Sequence, residues 1–566
     1  MGRGNTRLTR TGMNLMDTGS GEATFLAYLN IDERGGSALG KPSKTLAAAA
    51  NDLIGGEAGW GGVLGAAVSV TYGFRSSAPT NMPSDTVGFS RFGPDQIRFA
   101  ELALTAWSDA GNITFIRVGE GALGDEAFSN QAAILFANYS AGVEGAAAFA
   151  MYPGSTLPSS GAGDVWVNIS RPSNQNLAQG TSGVATLIHE IGHAIGLGHP
   201  GNYDVITGNS FTYQVNAEYY EDSRQYTVMS YFSETNTGAS YGGRYPAAPQ
   251  LDDIRAIQME YGTNMTTRTG DTVYGFGSNA ERPWFQITAG SDRVIFAVWD
   301  AGGNDTFDFS GYGQDQFIQL RGGYFSNVGG LSGNVAIADG AVIENAIGGS
   351  GSDGITGNSA ANRLEGRGGN DRLFGREGDD SLDGGSGTNY LRGDEGNDQL
   401  TGGAEFDDLN GNAGNDTVSG GAGDDWVVGG KDNDLLDGGE GADLVLGNLG
   451  NDWLDGGNGD DIIRGGQAND TLLGQAGNDW LSGDRGDDSI TGGAGADTFH
   501  SFGDAGIDQV TDFNLAEGDR VLLDPGSEWT VAQVGQDVVI QIGGGAQVIL
   551  VGIALNSLSG DWISAA

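Results

Sequence analysis

The chain has 566 residues, 102 of them glycine, with 27 basic against 73 acidic side chains and a formal net charge of -46. A field of that sign repels phosphate and excludes nucleic-acid binding as a working role. With no cysteine there are no disulfide staples; if the chain works outside the cell, something else must stabilise it, and bound metal is the obvious candidate.

Taken in order, the first residues carry Arg3, Arg7 and Arg10, but the stretch Met13 to Leu29 is broken by polar and charged residues. It lacks the continuous apolar core of a secretory signal peptide. About 18 consecutive apolar residues occur nowhere, so no membrane span is expected. The chain is then cytosolic, or it leaves by a route that reads no N-terminal signal. Residues 1–62 are rich in Gly, Ala and Ser with weak periodicity, which predicts a loosely ordered leader and a candidate propeptide.

From Ala66 the pattern sharpens. Val68, Val70 and Tyr72 alternate with small or polar residues as in a half-buried strand. Pro94 and Asp95 open a helix with the apolar stripe Ile97, Ala100, Leu104 and Trp107, and Gly111-Asn112 ends it. Further strands are predicted over 113–118, 133–137 and 165–169, and a second long helix over 182–195. A mixed sheet with these helices predicts an α/β or α+β domain over 63–264.

The second helix carries His189-Glu190-Ile191-Gly192-His193, followed by Gly196 and His199-Pro200. Three of the four histidines in the chain fall here. Residues four apart share one helix face, so His189 and His193 can reach one ion. Gly196 can take the positive φ that turns the chain and returns His199 as third ligand. Three protein ligands leave a position open, as a catalytic zinc site requires, and Glu190 stands beside it as general base. H-E-x-x-H-x-x-G-x-x-H is the metzincin signature.

Downstream lie Tyr226-Thr227-Val228-Met229-Ser230-Tyr231 and a helix predicted over 251–261, closed by Gly262. With the histidine motif, Asp252-Asp253-Ile254-Arg255, Arg268-Thr269-Gly270-Asp271-Thr272 and Trp299-Asp300-Ala301-Gly302-Gly303-Asn304-Asp305, the chain resembles the serralysins, secreted bacterial metzincins. The resemblance implies zinc on His189, His193 and His199, with Tyr231 as a distal zinc ligand. That tyrosine would swing away on substrate binding and stabilise the tetrahedral intermediate. It further implies calcium at Arg268, Gly270, Thr272, Asp300, Gly302, Gly303, Asp305 and Glu344, in a linker over 265–345.

From Gly348 a nine-residue period places Asp or Asn at seventeen positions from Asp353 to Asp497, with Asn at 362 and 389. A glycine precedes each by five residues and an apolar side chain follows each by two. This is the G-G-x-G-x-D-x-U-x repeat of calcium-binding parallel β-rolls. Glycines allow tight turns, Asp supplies hard oxygen suited to calcium, and stacked repeats bury the apolar position. The calcium ligands expected from it are Asp371, Asp380, Asp398, Asp416, Asp425, Asp443, Asp452, Asp461, Asp479, Asp488 and Asp497. Arrays of this kind resemble those of type I secreted proteins, which carry a C-terminal signal.

The expected architecture is therefore a metzincin-like α/β protease domain, the calcium-binding linker, a parallel β-roll over 346–502, and a β-rich cap over 503–566 bearing the secretion signal. Asp561-Trp562-Ile563 fits a serralysin ending, whereas Ser564-Ala565-Ala566 departs from it. The expected function is a secreted zinc endopeptidase, with the edge strand near 146–151 and the loop 201–225 lining its cleft. Its expected partners are polypeptide substrates, the type I secretion machinery, and a small protein inhibitor or a calcium-rich cell surface. The alternative is a calcium-dependent surface, adhesion or S-layer-associated protein in which the array is the working part.

Overall fold

A computed structural model describes residues 28–55, 59–83, 86–121, 123–142, 146–154, 161–203 and 212–565. The N-terminal half is built on helix α1 (Leu46–Ile54), strand β1 (Val68–Phe74), helix α2 (Pro94–Ala110), strands β2 (Ile113–Arg117), β3 (Ile134–Tyr139), β4 (Ala148–Ala150) and β5 (Val165–Asn168), and helices α3 (Ser182–Ala194) and α4 (Leu251–Tyr261). The sheet order is β2-β1-β3-β5-β4, parallel throughout except for β4, the antiparallel edge. Both faces of β3 and β5 are buried, which explains their continuous apolar reading. Proline at the first turn starts α2, and Ile97, Ala100, Leu104 and Trp107 are buried as the stripe predicts.

The second half is a two-sheeted roll. Consecutive strands alternate between the sheets, and each pairs in parallel with the strand eighteen residues on: Leu373 with Leu391 in one sheet, Leu382 with Leu400 in the other. The inward apolar position is buried in every turn from Ile355 to Phe499. Strands at Val273–Phe276, Thr306–Asp308 and Asn345–Ile347 begin one sheet before the regular repeats do, so the linker is structurally the opening of the roll. The last segment continues both sheets. Ile507–Val510 and Gln547–Leu550 extend one, while Arg520–Leu523 and Ile563–Ala565 extend the other. Trp562 is buried and packs near Phe513, ring centroids 6.2 Å apart, so the expected secretion signal is folded into the end of the roll.

One expectation needs correction. Residues 28–55, read from composition as part of a loose leader, are built into the fold. Arg34 is buried and makes a two-pronged ion pair with Asp252 at the start of α4, at 2.7 and 3.0 Å. Ser43 and the Lys44 amide donate to Glu221. Helix α1, capped by Thr45, buries Leu46, Ala49, Ala50, Leu53 and Ile54 and packs along α4. Tyr28 stacks edge-on to Phe325 at 5.4 Å, and Asn30 Oδ1 accepts from the Phe325 amide at 3.1 Å, so this segment bridges the two halves. The compositional reading failed because the small residues of α1 are close-packing residues. The earlier part of the leader, residues 1–27 with the three arginines, lies outside the described residues.

Candidate active site

Helix α3 puts His189 and His193 on one face, and Gly196, at φ +111°, turns the chain so that His199 returns. The three Nε2 atoms converge. His189 and His193 are 3.1 Å apart, His193 and His199 3.1 Å, and His199 and His189 3.2 Å. A tetrahedral face around an ion about 2.05 Å from each nitrogen has an edge of about 3.3 Å, so this triangle is the size of a metal site. Among the described residues it is the one group of His, Asp or Glu whose ligand atoms gather closely enough to hold a metal through side chains alone.

The tautomers are set from behind. His189 Nδ1 lies 2.9 Å from the Val228 carbonyl and His193 Nδ1 2.7 Å from that of Leu197. A carbonyl only accepts, so each Nδ1 carries the proton and each Nε2 turns its lone pair into the triangle. Burial keeps the rings neutral, pushing His189 down to about 4 and His199 to about 3, and His193 well below its ordinary value. Glu190 is 6% exposed, and burial alone pushes its carboxyl up to about 8. A cation on the neighbouring rings would draw it back towards the carboxylate, the form that takes a proton.

Met229 is fully buried beneath α3. Gly192, inside the histidine motif, makes its room. A Cβ there would collide with Met229 Sδ and come within 3.1 Å of Met229 Cε and 3.2 Å of the Trp107 ring. The turn holding Met229 hangs from α4. Asp253, buried at the first turn of that helix, accepts from the Thr227 hydroxyl at 2.6 Å and from the Val228 amide at 2.8 Å. The same Val228 then offers its carbonyl to His189, so α4 orients the first ligand through one peptide unit. The motif could not announce Gly192, Asp253 or Val228 in these roles, because each acts through a residue distant in the chain.

Tyr231 is 37% exposed at the mouth of the site, its ring 4.6 Å from that of His199 and 5.5 Å from that of His189. Tyr203, unremarked in the sequence, is buried and stacks on His199 at 5.5 Å. Its hydroxyl donates to Asp222 at 2.7 Å, as does Ser230. The segment before the site also contributes. The Gly198 amide, one residue before the third ligand, donates to the Leu53 carbonyl of α1 at 2.5 Å. The far end of α3 is held by Tyr261 of α4, whose hydroxyl donates to the Ile195 carbonyl at 2.6 Å. Of the expected cleft walls, β4 lies along α3, whereas residues 204–211 of the second wall lie outside the described residues.

The family model described as Peptidase M10 serralysin C terminal matches residues 263–522. Serralysin G of Dickeya chrysanthemi is 46% identical over 355 residues, which cover 61% of this chain and 72% of that protein. Metalloprotease AprA of Pseudomonas entomophila (strain L48) is 46% identical over 342 residues, covering 59% of this chain and 68% of that one. The chain belongs to the serralysin family. It is a serralysin-type metalloprotease, and the surface-protein alternative is not favoured, because the relatives are proteases.

The acidic positions that the serralysin resemblance singles out do gather. The Asp305 amide donates to Glu344 at 2.7 Å, the Thr272 amide to Asp305 Oδ1 at 2.7 Å, and the Gly302 amide to Asp300 Oδ1 at 3.0 Å. Asp305 Oδ2 is buried without a hydrogen-bond partner, and burial, with Asp300 and Glu344 adding repulsion, pushes its carboxyl up to about 7. Arg268 turns its guanidinium away to Asp109, at 2.9 Å, and sits at φ +47°. Gly270 lies against Gly303, where a Cβ would come within 2.7 Å of the Gly270 carbonyl.

In the roll, Oδ1 of each repeat aspartate from Asp371 to Asp497 accepts from the amide eighteen residues earlier, as Asp371 does from Asp353 at 2.7 Å and Asp398 from Asp380 at 2.9 Å. Oδ2 is buried with no hydrogen-bond partner at all eleven expected positions from Asp371 to Asp497. It is equally so at Asp407, Asp434 and Asp470, three register positions that the sequence-based ligand set left out. A buried acceptor without a donor is costly, and fourteen of them stand in register here.

Proposed function

We propose that the chain is a secreted zinc endopeptidase in which His189, His193 and His199 hold the zinc, Glu190 is the general base, and Tyr231 is a distal ligand that moves to the oxyanion. The observation that carries this is the triangle of Nε2 lone pairs beside a buried carboxyl. Zinc held there supplies Lewis acidity, polarising the scissile carbonyl and acidifying water. Glu190 takes the proton from the attacking water and gives it to the leaving amine. The Tyr231 hydroxyl, at the mouth of the site, can donate to the oxygen on which negative charge develops. The free edge of β4 offers backbone groups to an extended polypeptide, which would lie across the cleft as one more strand.

Calcium is the cation that suits the acidic turns, through Asp371, Asp380, Asp398, Asp416, Asp425, Asp443, Asp452, Asp461, Asp479, Asp488 and Asp497, joined by Asp407, Asp434 and Asp470. The cluster of Arg268, Gly270, Thr272, Asp300, Gly302, Gly303, Asp305 and Glu344 forms a further calcium site through carboxylates and backbone carbonyls. With low calcium inside the cell the array stays open for export through a type I system, and calcium outside folds it. Among the described residues no helix is long and apolar enough to cross a membrane. The test is reconstitution. Chelation should abolish casein cleavage by the calcium-loaded chain, and one equivalent of zinc should restore it; restoration by calcium alone would contradict the assignment.

A further inference from the structure

The two asparagines in the repeat register differ from the aspartates in one atom of the side chain, and that atom has a partner. At Asp371, Oδ2 has no donor and lies with the Gly384 carbonyl around the same point, close to where a Cβ on Gly366 would stand. Two acceptors thus border that point, and Oδ2 receives no hydrogen there. At Asn389 the geometry repeats with Nδ2 in place of Oδ2. A Cβ on Gly384 would lie 2.6 Å from Asn389 Nδ2 and 2.8 Å from the Gly402 carbonyl. Here the amide closes the gap. Nδ2 donates to the Gly387 carbonyl at 3.0 Å and to that of Gly402 at 3.4 Å, while Oδ1 accepts from the Asp371 amide at 3.0 Å as the aspartates do.

Asn362 is turned the other way and is also used at both ends. Its Oδ1 accepts from the Asn358 amide at 2.8 Å, and Nδ2 donates to the Glu344 carbonyl at 3.0 Å. Asp353, at the mouth of the array, has donors too. Oδ2 accepts from the Gly349 amide at 2.6 Å and Oδ1 from the Gln316 amide at 2.7 Å. Neither asparagine nor Asp353 leaves a buried side-chain oxygen without a donor, in contrast to the repeat aspartates from Asp371 onward.

We propose that Asn389 is a cation-free clasp, in which the carboxamide N–H occupies the role that a divalent cation plays in the aspartate turns. The inference rests on the reading of the aspartate turns as calcium sites. It divides the roll into unequal parts. The turns next to the protease half are closed in part by protein donors, and those from Asp398 onward depend on ions. A neutral amide also satisfies two carbonyl oxygens without adding another carboxylate to a crowded row. The row through Asp371, Asn389, Asp407 and Asp425 is thereby interrupted near its start, and the opposite row begins only beyond Asn362.

The test counts ions on the full chain, with calcium as the probe, by equilibrium dialysis followed by elemental analysis. Asn389→Asp should bind at least one more calcium per chain than wild type, and Asp407→Asn at least one fewer. Both should match the wild-type circular dichroism in saturating calcium. An unchanged count in Asn389→Asp means that the turn is no cation site, and an unchanged count in Asp407→Asn means that an asparagine turn can hold the ion; either overturns the proposal. Asp407→Asn keeps the test open should Asn389→Asp fail to fold. Wild type that binds no calcium would instead sink the underlying reading of the aspartate turns, and the proposal with it.

Discussion

Replacing Gly192 by alanine sets two physical effects against each other. In a helix interior alanine is favoured over glycine by about 1 kcal/mol, so propensity alone predicts stabilisation. The structure predicts the reverse. The new Cβ collides with Met229 Sδ and presses on Met229 Cε and Trp107, and both side chains are fully buried. Forcing a methyl into such a contact costs about 1–3 kcal/mol, so at the middle of that range the net loss is about 1 kcal/mol. The strain falls on the helix that carries two ligands and on the turn that orients His189, so caseinolytic activity should fall with stability. Calorimetry of the calcium-saturated chain measures the first, and a double-mutant cycle with Met229→Ala isolates the cause. In that background the collision is gone, alanine should gain its propensity term, and the coupling should be about 2 kcal/mol. A Gly192→Ala chain as stable as wild type, or additive behaviour in the cycle, would refute the placement of Met229 against α3.

Further outcomes follow from the same contacts. Arg34→Ala strands Asp252 in the interior without its partner and should cost about 3–5 kcal/mol in calorimetric unfolding. A chain beginning at residue 28 should keep its caseinolytic activity, whereas one beginning at residue 56 should lose it, because Leu53 no longer receives the Gly198 amide; activity in the shorter chain would show that α1 is dispensable. In the calcium-free roll, burial holds Asp398 near 6, Asp371 near 7 and Asp434 near 8. These folded values lie above the ordinary carboxylate value of about 3.9, so the stability they carry is present below about pH 4 and is lost as pH rises through about 6–8. Chelated protein should therefore show more strand signal by circular dichroism at pH 5 than at pH 8. With calcium present the order should reverse, since the ion needs ionised carboxylates.

The periodic parts of the fold were legible because their physics is local. Strict recurrence of glycine, aspartate and an apolar residue dictates a roll, and the structure buries each of those apolar positions. The helix over 251–261 has the bounds its stripe gives, and α3 stops one residue short of the predicted end at Ile195. The histidine motif likewise contains its own geometry, since spacing on a helix and one glycine turn are enough to assemble the triangle. What escaped depends on contacts across long stretches of chain. Residues 28–55 look like a loose leader by composition, and only Asp252, Glu221 and Gly198 reveal them as part of the catalytic half. Tyr203 and Asp222 read as ordinary core residues until they stand behind His199 and Ser230. Asp407, Asp434 and Asp470 were in register from the start, and the structure gives them the same donorless oxygen as their neighbours.

The most direct test of the proposed chemistry is casein hydrolysis by Glu190→Gln, made on protein shown by elemental analysis to hold one zinc per chain. The side chain keeps its shape and loses only its ability to take a proton, while the three histidines and their carbonyl partners are untouched. Hydrolysis should fall by about 10²–10⁴-fold, the usual contribution of a positioned general base, with zinc content unchanged. Turnover within tenfold of wild type at full zinc occupancy would contradict the assignment of Glu190 as the base.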